Sequence, residues 1–273
     1  MRAASGVALG LAVLALTWVG GTAFDILAVA VMALVFFEWF RIVATDSLSR
    51  LSWTIGYCTI GVVGLCILAG LSAFGVGATA TGAVALLFVR IVEKGDFWPS
   101  IGLIYAGFFG VAFAALRDSA EFGFALIIFI FAVIWTTDVS AFFGGRRFGG
   151  PKLAPVVSPN KTWSGFLSGL VGGILAGVIA ATILTASSVR WVAVLAALVS
   201  IAGQMGDLFE SGFKRRYGVK DSGALIPGHG GVMDRLDSVI FATFVAYLVA
   251  IAMPEQKGLS GGGNGIALHL LGS

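Results

Sequence analysis

Five aspartates carry the chemistry open to this sequence. Asp138 lies inside the apolar run IIFIFAVIWTTDVSAFF, and Asp207 follows IAGQMG inside another, with Glu210 and Ser211 one helical turn further along the same face. An ionised side chain at the centre of a membrane helix costs at least about 2.5 kcal/mol, so both positions need compensation. Asp221, Asp234 and Asp237 stand in the segment SGFKRRYGVKDSGALIPGHGGVMDRLD, which runs from Ser211 to Asp237. Asp234 and Asp237, three residues apart where the next apolar run begins, project from one helix face; a helix-capping role is the alternative for Asp234.

These acids are expected at one membrane face, beside Lys152, Lys161, Lys214, Arg215 and Lys220. Carboxylates held together need a cation to relieve their repulsion. With no cysteine among them and only His229 nearby, the ligand types favour a hard, oxygen-seeking ion such as Mg2+ over zinc. The lysines and arginines suit a polyphosphate, as do Gly-rich turns such as GHGG, whose amides can approach it closely. Metal plus basic groups is the recurring equipment for transfer at phosphorus. His229, set in PGHGG, is read either as a phosphate or metal-shell contact or as a turn brace. Glu38 and Arg90, charges inside or at the edge of apolar runs, are read as snorkelling groups or interhelical partners.

Such a site needs elements that hold it in a bilayer. Of the 273 residues, 58% are hydrophobic and 11% charged, against about 25% charged in a soluble domain. Mean hydropathy is +1.00, which excludes a water-soluble globular fold of this size. The 39 glycines suit close approach of membrane helices. Cys58 and Cys66 share one apolar stretch, so core packing is expected and not a disulfide or metal site. The net charge of +3 is read as topology, with no nucleic-acid partner.

A hydrocarbon core of about 30 Å takes roughly 20 apolar residues per helix. Nine stretches qualify: Val7–Phe24, Ile26–Val43, Trp53–Phe74, Gly77–Val92, Trp98–Leu116, Phe122–Phe143, Ser164–Ala186, Trp191–Phe213 and Leu236–Met253. They are continuous and not alternating, so the fold class expected is all-α, a polytopic transmembrane bundle of about nine helices with two functional cytosolic loops. The first stretch is read as a retained helix and not a cleaved signal peptide. With the N-terminus in the cytosol, fourteen of the 17 basic residues fall on the cytosolic side. Only Arg117, Arg190 and Lys257 fall opposite, as the positive-inside rule requires. The two long polar connections, Gly144–Trp163 and Lys214–Arg235, are expected to carry the function. The division expected is 1–120, N-terminal membrane helices; 121–253, the catalytic membrane region; and 254–273, a disordered Gly-rich tail. The localisation expected is an inner (plasma) membrane, multi-pass, with N-terminus and active-site loops cytosolic.

The segment from Ser211 to Asp237 resembles the signature of the phosphatidate cytidylyltransferase family. WTTDVSAFFGGRRFGGPKLAPVVSPNKTWSGFLSGL is similar to a second motif region of the same family, with KLAP, SPNKTW and the preceding intramembrane aspartate. Together they cover about Trp135 to Ser238; the N-terminal third matches in hydropathy alone and the tail not at all. The resemblance implies a multi-helix enzyme, commonly a homodimer. It would convert CTP and phosphatidic acid into CDP-diacylglycerol and pyrophosphate with Mg2+, K+ being a candidate second ion. On that pattern Asp207 and Asp234 are the paired metal ligands, with Asp237, Asp138 and Asp221 as supporting or alternate acids. Lys152, Ser158, Lys161, Lys214, Arg215, Lys220, His229 and Arg235 would hold phosphates. The competing readings are another membrane nucleotidyl- or phosphosugar-transferase acting on a polyprenyl lipid, and a cation-coupled transporter with Asp138 and Asp207 as its ion site.

Overall fold

The computed structural model describes residues 2–44, 48–118, 122–185, 189–225 and 230–252. His229, Lys257 and the Gly-rich tail lie outside the described residues, as does the side chain of Arg2. Within them the chain forms nine helices and one hairpin: α1 (Arg2–Val19), α2 (Gly21–Val43), α3 (Arg50–Leu68), α4 (Ser72–Val92), α5 (Trp98–Arg117), α6 (Gly123–Phe148), β1 (Lys152–Ala154), β2 (Ser158–Thr162), α7 (Trp163–Leu184), α8 (Val189–Arg216) and α9 (Met233–Ala252). Eight helices, α2 to α9, are long and apolar enough to cross a membrane; the described apolar stretch of α1, Ala8–Val19, is shorter.

The expected helices are all present, with boundaries moved by glycine. The first break falls at Gly20 and Gly21, whose φ values of 66° and 53° only glycine adopts without strain. Another falls at Gly70 (φ 70°), between α3 and α4, where the amides of Gly70 and Leu71 turn back onto the carbonyls of Ile67 and Cys66. That closure ends α3 inside an apolar run that hydropathy reads as continuous to Phe74. Conversely, α6 runs on to Phe148, past the expected end at Phe143. Gly144 lies where a Cβ would come within 2.3 Å of Ser168 Cβ, so α7 packs on the extra turn and keeps it helical. Cys58 and Cys66 are free, and Cys58 is exposed on the outer face of α3, not packed in the core.

The chain divides into two compact units, Met1–Ala115 with Arg216–Arg235, and Leu116–Arg215 with Leu236–Ser273. The first unit is built on aromatic packing. Trp39 of α2 is wholly buried and its indole N–H donates to the carbonyl of Trp98 at 3.0 Å. Gly102 of α5 has no side chain because a Cβ there would meet the same indole at 2.1 Å. Phe36 and Phe40 fill the gap over Gly56 of α3, where a Cβ would stand 2.7 Å from the Phe36 ring.

The second unit is built on small residues. Along α7, Gly165, Gly169, Gly173, Gly177 and Ala181 are buried at every fourth position, while Trp163, Leu167, Val171, Leu175, Ile179 and Ile183 on the other side are exposed, as a lipid-facing stripe must be. Where water does not drive helices together, close backbone approach and hydrogen bonds do. A Cβ on Gly173 would stand 2.3 Å from Thr137 Oγ1, and that hydroxyl is paired to Ser200 at 2.9 Å, tying α6 to α8 beneath α7. Replacing Gly173 by Leu is therefore expected to cost about 1–3 kcal/mol or more through overpacking. Gly61→Ala, with nothing within 4 Å of its new methyl, should stay within about 0.5 kcal/mol. Unfolding in mixed micelles measures both; equal stabilities would refute the packing role of the α7 glycines.

Candidate active site

The polar residues of the second unit are positioned by the turn that ends α6. Gly149 and Gly150, with φ of 61° and 99°, end the helix and reverse the chain into β1 and β2. The two strands pair antiparallel, Lys152 opposite Thr162 and Ala154 opposite Ser158. Thr162 ends the hairpin and also caps α7, its hydroxyl accepting the Gly165 amide at 3.1 Å. Ser164 donates to the Gly149 carbonyl, tying the same corner to the end of α6. Lys161 is thereby fixed one residue before the cap, and its ammonium lies 2.5 Å from Asp207 Oδ2 on α8.

Asp207 also accepts from Ser211 at 3.3 Å, as expected of residues one turn apart. One turn further, Lys214 pairs with the fully buried Glu210 at 3.0 Å. Asp138 of α6, whose side chain is exposed, lies within electrostatic reach of Asp207 and Lys161. Asp237 of α9 lies within reach of Asp207, Asp138 and Lys214. The approach of α9 needs Gly206, where a Cβ would sit 2.4 Å from the Asp237 carbonyl. At about 1.5 Å per residue, the 28 residues of α8 span more than the roughly 30 Å of hydrocarbon. Its charged C-terminal turns must therefore reach past the apolar layer.

Three aspartates and Glu210 outnumber Lys161 and Lys214 in this cluster, leaving an excess of negative charge that a cation would relieve. Oxygen donors alone suit a hard divalent ion in type and charge. Among the described residues, no group of three or more His, Cys, Asp or Glu is already spaced to hold a metal.

Asp221 and Asp234 belong to the first unit. Asp234 Oδ2 accepts the amides of Ser222 and Gly231, each at 2.9 Å, and a Cβ on Gly230 would come 2.9 Å from the same oxygen and 3.9 Å from Asp221 Cβ. Asp234, read alternatively as a helix cap, thus ties the preceding loop to the start of α9. The amide of Gly231, one of the GHGG glycines, is taken up by that carboxylate. Glu38 does not snorkel: it is the interhelical partner of the alternative reading, tied to Met233 of α9, and no base among the described residues pairs with it. It is buried, and accepts from Ser222 Oγ (3.1 Å), Val232 N (2.9 Å) and Met233 N (2.7 Å). Arg90 is likewise buried, holding Glu93 at 3.0 Å and the Asp96 carbonyl at 3.2 Å.

Of the remaining expected phosphate contacts, Lys152, Arg215, Lys220 and Arg235 are exposed, as is Asp221, and Ser158 is half-buried at the start of β2. Sequence reasoning missed Ser222 and the buried Glu210–Lys214 pair. The second was legible as an i, i+4 acid and base on α8; Ser222 carried no signal of its own.

The sequence profile of the Cytidylyltransferase family matches residues 1–252, so the likeness extends over the N-terminal helices that the two motifs leave out. A phosphatidate cytidylyltransferase of Brucella abortus biovar 1 is 41% identical over 259 residues, covering 95% of this chain and 96% of that protein. One from Brucella suis biovar 1 is 41% identical over 93% of this chain and 94% of its own length. A more distant namesake from Staphylococcus saprophyticus is 41% identical over 140 residues, 51% of this chain and 54% of that protein. With its nine helices, its hairpin lysine on Asp207 and a family match running from the first helix to the last, the chain belongs to the cytidylyltransferase family.

Proposed function

We propose that this protein transfers the cytidylyl group of CTP to phosphatidic acid, giving CDP-diacylglycerol and pyrophosphate. The observation that carries the reading is the ion pair of Lys161, in one motif segment, with Asp207, four residues before the other, beside Asp138 and Asp237 of the two segments. It puts a phosphate-binding cation type against a set of carboxylates in a chain of the cytidylyltransferase family.

A phosphomonoester has a second pKa of about 6 and is mostly dianionic at neutral pH, so phosphatidic acid needs no strong base. One of its phosphate oxygens attacks the α-phosphorus of CTP, forming the new P–O bond while the bond to the β-phosphate oxygen breaks and pyrophosphate departs. Both reactants are anions, and the residues' task is to hold them together and neutralise them. Lys161 and Lys214, with Lys152, Ser158, Arg215, Lys220, His229 and Arg235, supply the positive charge and hydrogen bonds in this reading. Asp207 and Asp234, supported by Asp237, Asp138 and Asp221, are the carboxylates that would hold Mg2+. When bound, that ion supplies charge neutralisation to the triphosphate. K+ as a second ion, a homodimer, and an inner-membrane location with these loops cytosolic complete the proposal. The acyl chains then stay in lipid while the nucleotide arrives from the cytosol.

Purified protein given Mg2+, CTP and phosphatidic acid is expected to form CDP-diacylglycerol, read by thin-layer chromatography. A product only with a polyprenyl phosphate, or none with any lipid phosphate, would sink the assignment. Asp234→Asn should lower turnover at least about 100-fold while leaving the protein folded; substantial turnover would remove Asp234 from the ligand set. Lys161→Gln should lower kcat/KM for CTP by about 10- to 100-fold, with Lys161→Arg recovering part of it. Val156, 92% exposed at the hairpin tip, reports orientation. In a variant lacking Cys58 and Cys66, Val156→Cys should react with an impermeant maleimide in inside-out vesicles and stay unlabelled in right-side-out ones.

A further inference from the structure

Glu38 is a buried carboxylate with no base paired to it among the described residues. Glu38 is 1% exposed and sits on α2 near the end of an apolar run, yet all three of its recorded donors come from a segment nearly 200 residues further along the chain: Ser222 Oγ, Val232 N and Met233 N. Two of these are the backbone amides where α9 begins, groups that have no partner inside a helix and that favour negative charge. The third is the hydroxyl of a residue whose own amide is held by Asp234 at 2.9 Å. Glu38 and Asp234 therefore grip the same short loop from two sides.

The glycines of the loop have been cut to fit this grip. A Cβ on Gly231 would meet Ser222 Oγ at 1.9 Å and Glu38 Oε2 at 2.6 Å, and one on Gly223 would meet Glu38 Oε1 at 2.8 Å. A side chain at Gly223 or Gly231 would displace the carboxylate. All of these contacts lie within the first compact unit. On the same helix as Glu38, Trp39, Phe36 and Phe40 make separate packing contacts with α5 and α3.

We infer that Glu38 is a positioning residue for the transfer reaction: by binding Ser222 and the first amides of α9, it sets the direction in which Asp234 and its neighbour Asp221 are presented. This rests on the proposed function for its kinetic arm and on hydrogen bonding alone for its structural arm. A glutamine at 38 keeps the shape but offers one acceptor where the carboxylate offers two, and turns an N–H2 toward backbone N–H groups. A loop freed in this way misplaces its carboxylates, and a displacement of about 1 Å is worth about 100-fold in rate.

The test compares Glu38→Gln with the wild-type protein by hydrogen exchange and by kinetics. Exchange of the amides in 221–234 should accelerate at least tenfold, with the helices of the bundle unchanged. Turnover should fall about 10- to 100-fold, with the Mg2+ concentration for half-maximal rate raised and KM for phosphatidic acid unmoved. A residue that merely stabilises the fold would lower the melting temperature without changing the Mg2+ dependence. Unchanged exchange, or turnover within twofold of wild type, overturns the inference. If the wild type makes no CDP-diacylglycerol while exchange still accelerates in the variant, the assigned reaction fails and the grip of Glu38 on the loop stands. Should Glu38→Gln not fold, Ser222→Ala removes one donor alone and decides the matter. Faster exchange at Val232 and Met233 with reduced turnover supports the role, rescue by Ser222→Thr strengthens it, and wild-type behaviour of Ser222→Ala overturns it.

Discussion

A carboxylate brought into a membrane-spanning helix must find its donors and counter-charges within the protein, because lipid offers none. In this chain that single demand organises the polar architecture. Glu38 is met by a hydroxyl and two helix-start amides, Asp207 by Lys161 and Ser211, and Glu210 by Lys214. Two of these solutions tie distant parts of the chain together, α2 to the start of α9 and the hairpin to α8, while Glu210 and Lys214 are one turn apart on α8. Leaving one partner out would strand a buried charge, a change that costs several kcal/mol. The same contacts that make the acids tolerable therefore also define where the loops lie.

The two units solve the packing problem by different means. In the first, large rings of α2 fill notches left by glycines on α3 and α5. In the second, glycines on α7 bring backbones so close that Thr137 and Ser200 can bond beneath them. A precise site benefits from the second arrangement. Helices in near contact leave few rotamers open, and Asp138, one residue beyond Thr137, inherits that restraint.

The bundle was legible in the sequence because eight of its helices are long apolar runs, and length and hydropathy are what a bilayer selects. Their ends were not, for two opposed reasons. Gly70 stops α3 within apolar sequence, whereas α6 and α8 continue as helices into polar sequence, since backbone hydrogen bonding does not end where the lipid does. The hairpin was invisible: strands of three and five residues, mostly polar, give no periodicity to read. In the candidate site, the residue types and the Asp207–Ser211 face were readable from spacing alone. The role of Glu38 was not, because its nearest partner in sequence, Ser222, is 184 residues away. One sequence marks an intramembrane acid as costly; it does not say which distant amide answers it.

Thr162 belongs to two elements at once, ending β2 and capping α7. Only Thr162 stands between Lys161 and the helix, so the lysine is carried on a strand that runs directly into α7 and not on a loop. Changes of length at the tip, Pro155 to Val157, lie upstream of that joint and leave the ammonium in register with Asp207. An extra residue placed between Lys161 and Thr162 would instead turn the lysine to the opposite face of the strand. The hairpin can thus vary at its crown while its root is held to a single residue.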